Sequence, residues 1–186
     1  MAIDPTTHLF WITSRAAGTT ALVFSSASVG YGLIMGGKLI KGSNADRRVI
    51  HEVLALCTML AIAVHALALL GDSYLSPSLL DIALPFAMSY QQLFTTLGII
   101  AGWGLILLGL SFYFRKRIGM ARWKIIHRFT LLAWAGGLVH SLGEGTDAGT
   151  AWFLALVAIT AIPVLVLFVM RFARRSPRPV IAPVRG

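Results

Sequence analysis

Five stretches of this chain are long and apolar enough to cross a lipid bilayer: Ala16–Gly36, Val49–Gly71, Leu93–Phe114, Ile125–Leu142 and Ala151–Met170. A spanning helix needs about 20 mostly apolar residues, because each residue advances only ~1.5 Å through the hydrocarbon core. These stretches fill most of the 186 residues, and 57% of the chain is hydrophobic against 12% charged. A soluble domain of this size could not bury so much apolar surface. The expected fold is an all-α integral membrane protein: a five-transmembrane-helix bundle over residues 16–170. An outer N-terminal segment over 1–15 and a basic, proline-rich cytoplasmic tail over 171–186 flank it.

The net charge of +9 does not point to nucleic acid, because the cations are placed by topology. Lys38, Lys41, Arg47 and Arg48 separate the first two spans, and Arg115, Lys116, Arg117, Arg122 and Lys124 separate the third and fourth. Arg171, Arg174, Arg175, Arg178 and Arg185 follow the fifth. The other two loops, 72–92 and 143–150, hold Asp72, Asp81, Glu144 and Asp147 and no Lys or Arg. That alternation is the positive-inside pattern, and it places the N-terminus outside and the C-terminus in the cytoplasm. The basic loops then serve topology and contact lipid headgroups. The start of the chain lacks a basic region ahead of its first apolar run, so no cleaved signal peptide is expected.

Cys57 is the single cysteine, which excludes an intrachain disulfide, and no CxxCH is present to attach a c-type haem. Small residues mark the first span (Gly18, Ser25, Ser26, Ser28, Gly30, Gly32) and the third (Gly98, Gly102, Gly104, Gly109). They let membrane helices approach closely, and a second use would be room for a flat macrocycle. The acidic, proline-containing stretch between the second and third spans reads as a short amphipathic piece lying on the outer surface.

The chemistry rests on four histidines. An intramembrane imidazole is costly and is a functional candidate by default. His51 and His65 lie fourteen residues apart in the second span, and His127 and His140 thirteen apart in the fourth. Fourteen helical residues advance ~21 Å and return to within ~40° of the starting face; thirteen advance ~20 Å. The second and fourth spans run in the same direction, so His51 would face His127 near the cytoplasmic side and His65 would face His140 near the outer side. Each pair can hold one haem iron through two axial nitrogens. The thirteen-residue spacing does not fit simply, since it leaves the second imidazole ~140° from the first face of an ideal helix. A distortion of the fourth span is therefore expected, at Gly136–Gly137 just before His140.

Other readings of these residues are a haem-free scaffold, with the imidazoles as interhelical hydrogen-bond formers, and a His-relay transporter. A relay would normally keep acids in the spans, and Glu52 is the one candidate. A four-His zinc site is excluded by the ~20 Å between pairs. Arg48 and Arg128, beside His51 and His127, are candidates to neutralise the propionates of an inner haem, with Arg47 alongside; Arg15 is the candidate for an outer one. Snorkelling to headgroups competes with that role at each arginine. Trp134, midway between His127 and His140, either packs the core or bridges the two cofactors. His8 is read as a surface imidazole.

His-x13-His in one span and His-x12-His two spans later resemble the ferric reductase-like transmembrane domain. That superfamily includes eukaryotic ferric reductases, NADPH oxidases and the bacterial haem-binding subunits of methionine sulfoxide reductase. HLFWITSRAAG and VHSLGEGTD resemble segments of its small bacterial members, and the likeness covers roughly Leu9 to Met170. The resemblance implies two haem b groups, an inner one on His51 and His127 and an outer one on His65 and His140. It also implies electrons crossing from a cytoplasmic donor to an outer acceptor in the inner (plasma) membrane. No GxGxxG and no flavin-binding barrel region follow the fifth span, so the donor is expected to be a separate flavoprotein, a bound flavin (FMN or FAD) or a membrane quinol.

Overall fold

The computed structural model describes residues 8–37 and 43–173. Among them the chain forms eight helices and no strand: α1 (Leu9–Gly36), α2 (Asn44–Leu69), α3 (Leu79–Ala83), α4 (Gln92–Leu110), α5 (Arg115–Ile118), α6 (Met120–His127), α7 (Thr130–Glu144) and α8 (Ala151–Ala173). Four of these, α1, α2, α4 and α8, are long and apolar enough to cross a membrane. The chain is therefore a multi-pass membrane protein. The fourth expected span is not one helix but two, α6 and α7, parted at Arg128–Phe129. Alone, α7 measures about 22 Å at ~1.5 Å per residue, short of the hydrocarbon core. Helix α1 begins at Leu9, so Leu9–Arg15 of the segment expected over 1–15 is helical, and residues 1–7 lie outside the described residues. Helix α8 ends at Ala173; the tail beyond it, like Lys38 and Lys41, lies outside the described residues.

Helix α1 packs along α2, α4 packs along α7, and α8 lies against α1. The core is small: Trp134, Ala161 and Val164, surrounded by residues such as Val29, Leu33, Leu105 and Leu138. The Trp134 ring is buried there, and its indole N–H donates to Ser26 Oγ of α1 at 3.0 Å. Polarity is reversed relative to a soluble bundle. Ser14, Ser25, Ser26, Ser28, Thr58, Thr95 and Thr96 are buried, while Leu60, Ile159 and Val169 face outward. In lipid this costs nothing on the outside, and interior hydroxyls join helices by hydrogen bonds. The small residues do pack helices: a Cβ on Gly30 would meet Val164 at 3.5 Å, one on Gly102 would meet Ile62 at 3.4 Å, and one on Gly104 would meet Ala133 at 2.9 Å.

The segment between α2 and α4 is tied down locally. Asp72 accepts from the Tyr74 and Leu75 amides, and Ser78 and Asp81 close a reciprocal capping box on α3. Trp103 Nε1 then donates to the Ala83 carbonyl, and Thr96 Oγ1 accepts from the Phe86 amide, fastening the segment to α4.

Trp134→Ala would open a cavity and strand the Ser26 hydroxyl. A loss of about 3–5 kcal/mol is expected, since large aromatic truncations in a close-packed core cost that much. Trp134→Phe keeps most of the ring and loses mainly the hydrogen bond, at roughly 1–2 kcal/mol. Unfolding of the purified protein in detergent measures both.

Candidate functional site

The four histidines of α2, α6 and α7 form two facing pairs. His51 and His127 have ring centroids 6.1 Å apart and planes at 89°. His65 and His140 have centroids 6.2 Å apart and planes at 70°. The helices carrying them do not pack backbone to backbone at these points; α2 lies against α1 and, more lightly, α4. The imidazoles reach across a gap.

The separation bears on what the pairs can hold. Two imidazoles joined by one N–H···N bond of about 2.9 Å would have centroids about 5.2 Å apart. Two imidazoles on opposite sides of one metal, each at about 2.0 Å, would have centroids about 6.3 Å apart. The observed 6.1 and 6.2 Å match the second arrangement. A single ring-to-ring hydrogen bond would set the rings closer than this.

The outward nitrogen of three rings is held by a neighbouring helix. His65 Nδ1 lies 2.8 Å from the Ser14 carbonyl and 3.0 Å from Ser14 Oγ. His51 Nδ1 lies 3.4 Å from Ser28 Oγ. His140 Nδ1 lies 2.9 Å from the Phe94 carbonyl. His127 Nδ1 is buried without a hydrogen bond; the Leu108 carbonyl is close but out of bonding geometry. Holding Nδ1 fixes the ring and leaves Nε2 for a metal, as at most metal-bound histidines.

Glycines make room for these rings. A Cβ on Gly18 would sit 2.9 Å from His65 Nδ1, one on Gly32 would sit 3.2 Å from the His51 ring, and one on Gly98 would sit 2.5 Å from His140 Nδ1. Ser14-x3-Gly18 and Ser28-x3-Gly32 are the same device used twice in α1, fourteen residues apart. That spacing equals the one between His51 and His65 on antiparallel α2. The sequence reading assigned these glycines to helix packing or macrocycle room and left Ser14 aside. The matched spacing of fourteen was the available signal.

The distortion demanded by the thirteen-residue spacing exists, but at Arg128–Phe129 rather than Gly136–Gly137, through which α7 runs continuously. The glycine pair is instead a packing surface, where a Cβ on Gly136 would meet Ala101 at 3.4 Å. At the break the amides of Arg128, Phe129 and Leu131 bond three residues back, to Ile125, Ile126 and Arg128. Thr130 Oγ1 takes the His127 carbonyl at 2.7 Å, diverting it from the α-helical ladder. A 3₁₀ turn adds ~20° of rotation and ~0.5 Å of rise per residue relative to an α-helix. Four or five such residues bring the ~140° deficit to ~40–60° and the rise to ~22 Å. The resulting offset is close to that of the fourteen-residue pair on α2, which is why both pairs can face.

The remaining candidates divide. Arg15 follows Ser14, at the end of the bundle where His65 and His140 meet. It pairs with Asp147, and its guanidinium lies over Trp11 at 4.3 Å. Arg48 and Arg128 are exposed at the opposite end. Trp134 belongs to the packed core. Glu52 accepts from Tyr113 Oη at 2.7 Å and so is engaged locally. Trp123, which the sequence did not single out as a site residue, stacks on His127 at 4.9 Å and 23°. Glu144, read only as a loop acid, lies 3.0 Å from His140 Nδ1.

Among the described residues no three His, Cys, Asp or Glu side chains converge to hold a metal ion. Each pair offers two ligands, too few for zinc. Two facing imidazoles suit a metal that brings its own equatorial donors, as haem iron does. Around His51 and His127 the helices leave a small cleft of about 40 Å³, lined by Ser25, Val29, Met59, Leu105 and Gly109 among others. The facing rings and the glycine seats suit the two axial positions of a haem.

The family model described as ferric reductase like transmembrane component matches residues 18–138, nearly two thirds of the chain. The match takes in His51, His65 and His127 and stops two residues before His140. No curated protein and no solved structure matches the chain.

Gly18→Val and Gly32→Val would each drive a side chain into one imidazole and leave the other pair intact. The haem-to-protein ratio of purified protein is expected to fall by about half in either variant. Gly30→Ala, whose Cβ would meet only Val164, should leave it unchanged.

Proposed function

From the premise that this chain belongs to the ferric reductase-like transmembrane family, we propose that it is a membrane b-type cytochrome. It passes electrons through two bis-His haems from a cytoplasmic-side donor to an outer-side acceptor. The family supports a membrane electron-transfer role. The observation that carries the finer reading is the pair of ring separations, 6.1 and 6.2 Å.

His51 and His127 would hold the inner group, and His65 and His140 the outer one. A haem iron held by two imidazoles supplies one-electron chemistry with no open coordination position. The protein's own task is then to hold the rings, exclude water and set two layers ~21 Å apart along the bundle. Helices α6 and α7 together make a fifth crossing, with their 3₁₀ break beside His127. The basic stretches support a topology with α5 and the start of α6 in the cytoplasm and the N-terminus outside. Arg48 and Arg128 stand at the inner end for propionates, and Arg15 stands at the outer end, shared with Asp147. The cations from Arg115 to Lys124 form a face that attracts an acidic flavoprotein or a phosphate-bearing flavin; a quinol would reach the same layer from the lipid. The plasma membrane is the proposed location.

Sealed vesicles holding the purified protein, with ferricyanide trapped inside and an impermeant reductant outside, test this reading. Ferricyanide colour is expected to decay through the protein, and His51→Ala or His65→Ala should abolish the decay. A rate equal to that of protein-free vesicles contradicts it. The near-perpendicular rings make a second prediction. The oxidised protein should give low-spin electron paramagnetic resonance dominated by one strongly anisotropic feature, rather than the rhombic triplet of parallel imidazoles.

A further inference from the structure

The two imidazole pairs are not equivalent in what surrounds their outward nitrogens. At the outer pair, His65 Nδ1 has two oxygens of Ser14 within 3.0 Å. His140 Nδ1 has the Phe94 carbonyl at 2.9 Å and Glu144 Oε2 at 3.0 Å. At the inner pair, His51 has the Ser28 hydroxyl at 3.4 Å and the Ser28 carbonyl beside it, and His127 has the Leu108 carbonyl close by. Carbonyls therefore face both pairs, and a carboxylate faces a ring nitrogen only at the outer one among the described contacts.

Glu144 is built into its place. Its side chain is 16% exposed, and Oε1 accepts from Thr95 Oγ1 at 2.9 Å. Oε2 is buried 3.0 Å from His140 Nδ1, which also lies 2.9 Å from the Phe94 carbonyl. The carboxylate thus faces the ligand ring as a charge. Arg15, the cation at this end, is committed to Asp147. A negative group against a ligand imidazole in a low-dielectric site raises ligand basicity and favours the more positive metal state.

Resting on the two-haem reading above, we infer that Glu144 is a positioning and tuning residue for His140 that sets the outer haem below the inner one in midpoint potential. An oxidised iron held there would carry one more positive charge than a reduced one, so the Glu144 carboxylate would stabilise the oxidised form. The inner pair lacks that support and takes an electron more readily. Electrons delivered from the cytoplasmic side then rest on the inner layer, and the outer layer passes them on as a stronger reductant.

A spectroscopic redox titration of the purified full chain tests this, comparing wild type with Glu144→Gln, which keeps an acceptor for Thr95 and removes the charge. Wild type is expected to titrate as two one-electron components. In Glu144→Gln the lower one should move up and the higher one should stay, with haem content unchanged. His51→Ala, retaining only the outer group, should titrate with the lower component. Haem present at two per chain with neither component moved, or with the higher one moved, overturns the inference and leaves the two-haem reading standing. Haem content halved by Glu144→Gln also overturns it, since Glu144 would then serve retention rather than tuning. Protein without haem overturns both.

Discussion

Two imidazoles facing each other about 6 Å apart, on helices whose backbones do not touch, set the terms for the rest of this structure. Such a gap would normally close, since lipid-embedded helices gain stability by close packing. It stays open because each helix that bears histidines is braced by a neighbour. Helix α1 holds α2 through Ser14, Gly18, Ser28 and Gly32, and α4 holds α7 through Phe94 and Gly98. The four-helix arrangement is thus two braced pairs, joined across the gap by α1, α8 and the Trp134 core.

The period of fourteen organises the brace. On α2 it separates the histidines; on α1 it separates the two Ser-x3-Gly seats; on α4 it separates Phe94 from Leu108. Only the α6–α7 strand departs, at thirteen, and there the helix tightens over Ile125–Leu131 to recover rotation and rise. The irregular backbone is locally satisfied, because Thr130 Oγ1 takes the carbonyl that the break releases.

Much of this was legible beforehand. Of the five spans expected from apolar length, four are single long apolar helices, and the two histidine pairs expected from spacing face each other. The need for a distortion in the fourth span also follows, from thirteen residues at 100° each. Its place did not. Gly136 and Gly137 look weak in isolation, yet they are held against Ala101 by tertiary packing, whereas Thr130 competes for a backbone carbonyl within its own turn. The roles of Ser14 and Glu144 were equally hidden. Both depend on which helix face turns toward which ring, and period alone does not give the rotation of one helix about another. Trp134 illustrates the opposite case: its blander sequence reading, core packing, is the one observed.

The account stands or falls on whether each imidazole pair holds one haem, and a reduced-minus-oxidised visible spectrum with pyridine-haemochrome quantitation decides that most directly. Two b haems per chain, reduced to one in either His51→Ala or His65→Ala and to none when both are changed, is the predicted result. A colourless protein from cells supplied with ample haem, or a haem content indifferent to these histidines, would contradict it.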